Sequence, residues 1–152
     1  MSTIEKPSGL GSGLGTGADR ARSLAVIAAR AAADKKGAST VVLEMGPLLS
    51  ITDAFVITSG GNPRQVRTIA EEVEERVKAA GAGGPNRVEG LDDARWILLD
   101  YGDVVVHVFL EEARGYYDLE RLWADAPRLH WQNGRELAQP PSDGKSERPS
   151  GP

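Results

Sequence analysis

Two aspartates, Asp100 and Asp103, flank a Tyr101-Gly102 step. Nearby carboxylates can hold a divalent metal or move protons. Metal-dependent nucleotidyl transfer wants two carboxylates alternating along one strand, so that both point the same way. Here the spacing is three, across a predicted turn, and Val104, Val105 and Val106 follow. Turn formation, which aspartate favours, is the better account of the pair. A second candidate is Ser59-Gly60-Gly61, between a predicted strand and a predicted helix, where backbone amides can cradle phosphate. It carries neither G-x-G-x-x-G nor a Walker Lys-Ser/Thr, so its glycines read as a turn. The only histidines, His107 and His130, lack a second ligand at metal spacing, and His107 sits within an apolar strand as a core or sheet-surface residue. No serine has a G-x-S-x-G context. Without cysteine there is no thiolate zinc site, cysteine nucleophile or disulfide. These residues point away from an enzyme and require no cofactor or metal.

Aromatic and acidic residues carry more signal. Trp96, Tyr101, Phe109, Tyr116, Tyr117 and Trp123 cluster between residues 96 and 123 in a chain that is only 5% aromatic. Tyr116 and Tyr117, neighbours on one helix, cannot both be fully buried. Partly exposed Trp and Tyr are typical anchors of protein interfaces; an aromatic end of the core is the alternative. The net charge is −4, with pI about 5.2, a poor match for a free-standing nucleic-acid binder. The arm is neutral, and so is the tail from residue 133 on, so the excess belongs to the core. From Arg87 to Asp125, ten carboxylates face four arginines. Acid beside aromatics suits a basic protein partner and disfavours direct RNA binding. With no long apolar run and no basic-plus-apolar leader, the chain reads as neither membrane-spanning nor exported, with the cytosol as its default compartment.

The elements that must position these residues are legible from their periods. Residues 1–17 hold five of the 18 glycines and read as a disordered arm. Residues 127–152 read as a disordered Pro-rich tail, with Pro127 ending the last helix. Between them, residues 18–126 form one domain. A helix is expected over 19–36, with Gly37 at its C-terminal cap. Strands follow at 39–45 and 54–58. A helix at 63–80 has Asn62 as N-cap, Pro63 first, and a stripe of Val66, Ile69, Ala70, Val73 and Val77. Residues 87–90 suggest a short edge strand. Residues 95–100 and 103–110 form a hairpin, apolar enough to be covered on both faces. A last helix over 111–124 would bury Tyr116, Leu119, Leu122 and Trp123. This αββαβββα order implies an α/β (α+β) fold, a small mixed β-sheet flanked by helices.

Several segments resemble the bacterial ribosomal silencing factor family, RsfS, also called Iojap-like. They are Ile51-Thr-Asp-Ala-Phe-Val-Ile-Thr-Ser-Gly60, the helix with Gln65, Arg87-Val-Glu-Gly90, Trp96 through Phe109, and Arg114-Gly-Tyr-Tyr-Asp-Leu-Glu-Arg-Leu-Trp123. The resemblance spans about residues 20–126. It implies a nucleotidyltransferase-like sheet without catalytic carboxylates. It also implies a translation repressor that binds the large ribosomal subunit through its L-fourteen protein and blocks small-subunit docking. A link to large-subunit maturation and a homodimer in the free state are implied as well. The binding set expected on this basis is Trp96, Leu98, Asp100, Tyr101, His107, Arg114 and Tyr117. Trp96 and Tyr117 would be anchors, Asp100 a charge partner and Arg114 a donor. Strand alternation puts Trp96, Leu98 and Asp100 on one face. Two competing readings are a nucleotidyltransferase-like enzyme using Asp100, Asp103 and Gly60-Gly61, and a dimeric adaptor with another partner.

Overall fold

A computed structural model describes residues 17–132. The rest of the expected arm and tail lies outside the described residues. Helix α1 (Gly17–Asp34) buries Ala21, Ala25, Ala28, Ala29, Ala31 and Ala32. Small side chains let it lie close on the sheet. Its C-terminus differs from expectation. Lys36, not Gly37, takes the left-handed conformation (φ 68°). The Lys36 N–H bonds Ala33 O and the Gly37 N–H bonds Ala32 O at 2.8 Å, which closes a Schellman turn. Gly37 is required by proximity instead, because a Cβ there would sit 2.4 Å from Thr58 Oγ1.

Strands β1 (Ala38–Glu44) and β2 (Ala54–Gly60) pair antiparallel. Helix α2 (Pro63–Ala79) then crosses the sheet, burying the expected Val66, Ile69, Ala70, Val73 and Val77. Asn62 caps it by accepting the Gln65 N–H at 2.9 Å. Edge strand β3 (Arg87–Glu89), β4 (Trp96–Asp100) and β5 (Val104–Leu110) complete an antiparallel run, and β5 pairs parallel with β2. The short helices α3 (Glu111–Tyr117) and α4 (Leu119–Leu122) follow, then β6 (Arg128–Leu129). The six strands lie in the order β3-β4-β5-β2-β1-β6.

Helices α1 and α2 cover one face, packing on Val42, Val56, Ile97, Leu99, Val104, Val106 and Val108. The opposite face carries a smaller cluster around Leu43, Met45, Ile57 and Phe109, against which Leu119 and Trp123 pack. Strand β4 is therefore not covered on both faces: Ile97 and Leu99 are buried, while Trp96, Leu98 and Asp100 are half-buried. The expected helix over 111–124 is also interrupted. Asp118 adopts a left-handed conformation (φ 51°), which aspartate tolerates better than most residues. The break leaves Tyr116 and Leu122 79% and 67% exposed, so these two are not core.

Pro127 does not end the folded chain. Its carbonyl accepts the Glu44 N–H at 2.7 Å, Leu129 pairs with Val42, and the Trp131 indole donates to Thr40 O at 3.0 Å. Residues 127–132, expected in the tail, thus cover the otherwise unpaired edge of β1. Among the described residues, no helix is long and apolar enough to cross a membrane.

Gly90 connects β3 to β4 at φ 88°, and a Cβ there would lie 2.0 Å from Trp96 O. Gly90→Ala should cost more than about 2 kcal/mol, from strain and backbone collision together. Gly83→Ala, at φ 81° but with nothing within 4 Å, should cost only about 1 kcal/mol. Urea unfolding followed by circular dichroism compares the two.

Candidate docking face

Register builds the site. On the face away from α1 and α2, Trp96 stands beside Phe109, Leu98 beside His107 and Asp100 beside Val105. Strand β2 adds Ile57 next to His107 and Phe55 next to Val105. Strand β3 adds Glu89 beside Leu98 and Arg87 beside Asp100. Helix α3 starts directly at the end of β5, so Tyr117 reaches back onto Trp96, with ring centroids 4.7 Å apart. The rings run on through Trp96–Phe109 (4.9 Å) and Phe55–His107 (4.6 Å) to Phe55–Trp123 (6.4 Å). Tyr116 extends the row from Tyr117 at 5.0 Å. Pairs in this range each contribute roughly 0.5–1.5 kcal/mol beyond the area they bury. The row is consequently a packed, partly exposed aromatic surface with acidic residues at its β3–β4 edge.

His107 lies within this surface, 4% exposed. The Trp96 indole N–H donates to its Nδ1 at 3.0 Å. Nε2 is buried with no hydrogen-bond partner. Burial pushes the imidazole pKa down to about 4, so the ring is neutral near pH 7.

The seven expected residues do not all converge. Trp96, Leu98, Asp100, His107 and Tyr117 share the face. Tyr101, one step beyond Asp100, points to the other side and packs against the helix-side core. Its buried hydroxyl lacks a hydrogen-bond partner. Burial, with a smaller contribution from Glu74, pushes its pKa up to about 12. Arg114 is occupied internally. Its guanidinium donates to Ala38 O at 2.9 Å, Ser39 O at 2.7 Å and Ser59 Oγ at 3.1 Å, and grips both Glu120 oxygens at 3.0 and 3.1 Å. With its side chain 12% exposed, Arg114 clasps α3 and α4 to the sheet and has little left to offer a partner. Phe55 and Trp123 were missing from the expected set. Phe55 alternates with Ile57 on β2, and that period was the available signal. Trp123 needed the break at Asp118, which periodicity does not announce.

Of the groups that suggested catalysis, Asp100 and Gly61 are held by local bonds. Asp100 Oδ1 accepts the Gly102 N–H at 2.8 Å, and Oδ2 lies 3.7 Å from Arg87. The Gly61 N–H is taken by Gln65 Oε1 at 2.8 Å, while Gln65 Nε2 donates to Lys35 O and Lys36 O. Among the described residues, no group of three His, Cys, Asp or Glu could hold a metal.

Fold and site together define a small α/β domain with one helix-covered sheet face and one half-covered aromatic face. A family model described as "Ribosomal silencing factor during starvation" (RsfS) matches residues 18–151. The chain belongs to that family. Ribosomal silencing factor RsfS of Bacillus subtilis is 42% identical over 106 residues, covering 70% of this chain and 89% of that protein. Its counterpart from Halalkalibacterium halodurans is 43% identical over 108 residues, covering 71% and 92%. The crystal structure of a Chromobacterium violaceum protein is similar, with a TM-score of 0.65, 32% identity and coverage of 82% and 92%. A more distant mouse relative, named mitochondrial assembly of ribosomal large subunit protein 1, is 32% identical over 84 residues, covering 54% and 37%.

The clasp and the buried imidazole each yield a test. Arg114→Ala leaves Glu120 with only Arg128 at 4.0 Å and takes the guanidinium from the Ala38 and Ser39 carbonyls, and should cost about 3 kcal/mol, read from urea midpoints. In an Arg114/Glu120 double-mutant cycle the two losses should be far from additive. For His107, the unfolded chain binds the proton more readily than the folded one. Its contribution is therefore complete above about pH 6.5 and lost as pH falls toward about 4. The loss should be on the order of 3 kcal/mol relative to a His107→Gln variant, at about 1.4 kcal/mol per pH unit. Stability measured across that window checks it; parallel curves would refute it.

Proposed function

We propose that this protein binds the large ribosomal subunit through its L-fourteen protein and blocks joining of the small subunit, thereby repressing translation. The observation that carries this reading is the half-covered aromatic face in a member of the ribosomal silencing factor family. Rigid Trp and Tyr rings supply anchor area at little entropic cost. Glu89 and Asp100, at the edge of the rings, leave that edge net acidic even with Arg87 paired to both, which favours a basic ribosomal protein over RNA phosphate. Blocking a second subunit needs only bulk held in the right place, so no catalytic group is required and the protein acts as a binding factor rather than an enzyme. It works in the cytoplasm. The name of the mouse relative supports a further role in large-subunit maturation. When free, the protein forms a homodimer. A dimer that used the same aromatic face would have to dissociate on binding, because one surface cannot serve two partners at once.

Two measurements test the proposal. Purified protein at micromolar concentration should lower the fraction of joined subunits in a gradient, and unchanged joining would sink the idea. Trp96→Ala should weaken binding to isolated large subunits by about 2 kcal/mol or more. A folded variant with unaltered affinity would remove Trp96 as an anchor.

A further inference from the structure

We infer that His107 is a positioning residue of the docking face, fixing the Trp96 indole through the Nε1–H···Nδ1 bond so that the ring is held in place before a partner arrives. This rests on the docking reading above, but its geometry stands on its own. An indole N–H can only donate. A 3.0 Å contact with Nδ1 therefore requires a lone pair there. The neutral imidazole then carries its proton on Nε2, and that atom is buried without a hydrogen-bond partner.

A phenylalanine would fill a comparable space among Phe55, Phe109 and Trp96 and carry no buried, partnerless nitrogen of its own, but it would take away the acceptor of the Trp96 N–H. Histidine accepts the cost of that nitrogen and contributes one thing phenylalanine cannot, an acceptor for the indole. The rings around it restrict its movement. Phe55 stands edge-on at 4.6 Å and Phe109 lies stacked at 6.3 Å, while cross-strand pairing with Leu98 and Ile57 fixes its backbone. Trp96 in turn lies against Tyr117 and Phe109. The hydrogen bond defines the rotation of the indole within that stack, which ring packing alone leaves loosely specified. Preorganisation of this kind lowers the ordering cost of binding.

The direct readout is the Trp96 indole N–H in free, isotope-labelled protein, assigned with Trp96→Phe. It should be protected from solvent exchange in the native chain and exchange rapidly in His107→Phe. Protection should return in His107→Asn, whose Oδ1 can occupy the place of Nδ1. Affinity for isolated large subunits should follow the same order, about tenfold weaker for His107→Phe and largely restored for His107→Asn. If His107→Phe does not fold, His107→Leu takes its place. A folded variant without the acceptor that keeps both protection and affinity would overturn the inference, as would failure of the asparagine to restore protection. If large subunits do not bind native protein, the docking reading fails, and indole exchange alone decides the role of His107.

Discussion

The parallel pairing of β2 with β5 shapes the rest of the molecule. Parallel neighbours cannot be joined by a tight turn, so the chain between them must cross over the sheet. Helix α2 makes that crossing on one face, where α1 joins it. Two long helices saturate that side with alanine and valine contacts. The other side receives only the short α3 and α4 and nearby loop residues. The pairing also sets Gly60 and Leu110, the last residues of the two strands, side by side. Helix α3, which begins there, stands within reach of Ser59 and the Ala38 and Ser39 carbonyls, and Arg114 uses that proximity.

Polar side chains in this protein mostly hold backbone. Gln65 ties the start of α2 to the end of α1, Asn62 caps α2, Asp100 closes the β4–β5 turn, and Arg114 clasps α3 and α4. Each is spent on peptide groups at helix ends, turns or strand ends that regular pairing leaves open. What remains available on the half-covered face is ring surface and edge charge, properties suited to recognition.

Helices α1 and α2, the two core strands of the hairpin and the Asn62 cap were legible because each is specified by local period or local chemistry. The edge strand at Arg87–Glu89 was legible too. The break at Asp118 was not, since its stretch keeps a helical pattern of apolar residues, and only the pairing of Arg114 with Glu120 reveals why the chain folds back there. Nor was the attachment of residues 127–132 to β1. A two-residue strand has no period, and its stability comes from the open edge it meets.

Composition and spacing alone determined that Trp96, Leu98 and Asp100 share one side of a strand, because side-chain direction in a strand alternates strictly with residue number. They also gave the paired aspartates a turn reading, and Asp100 does accept the Gly102 N–H. Only the tertiary structure decided which side of the sheet stayed partly open. It turned Tyr101 into the helix-side core and withdrew Arg114 into an internal clasp. It also brought Phe55 beside His107 and Trp123 against Phe55. Exposure depends on what packs above a residue, and that neighbour is set by contacts between segments far apart in sequence, which no local pattern encodes.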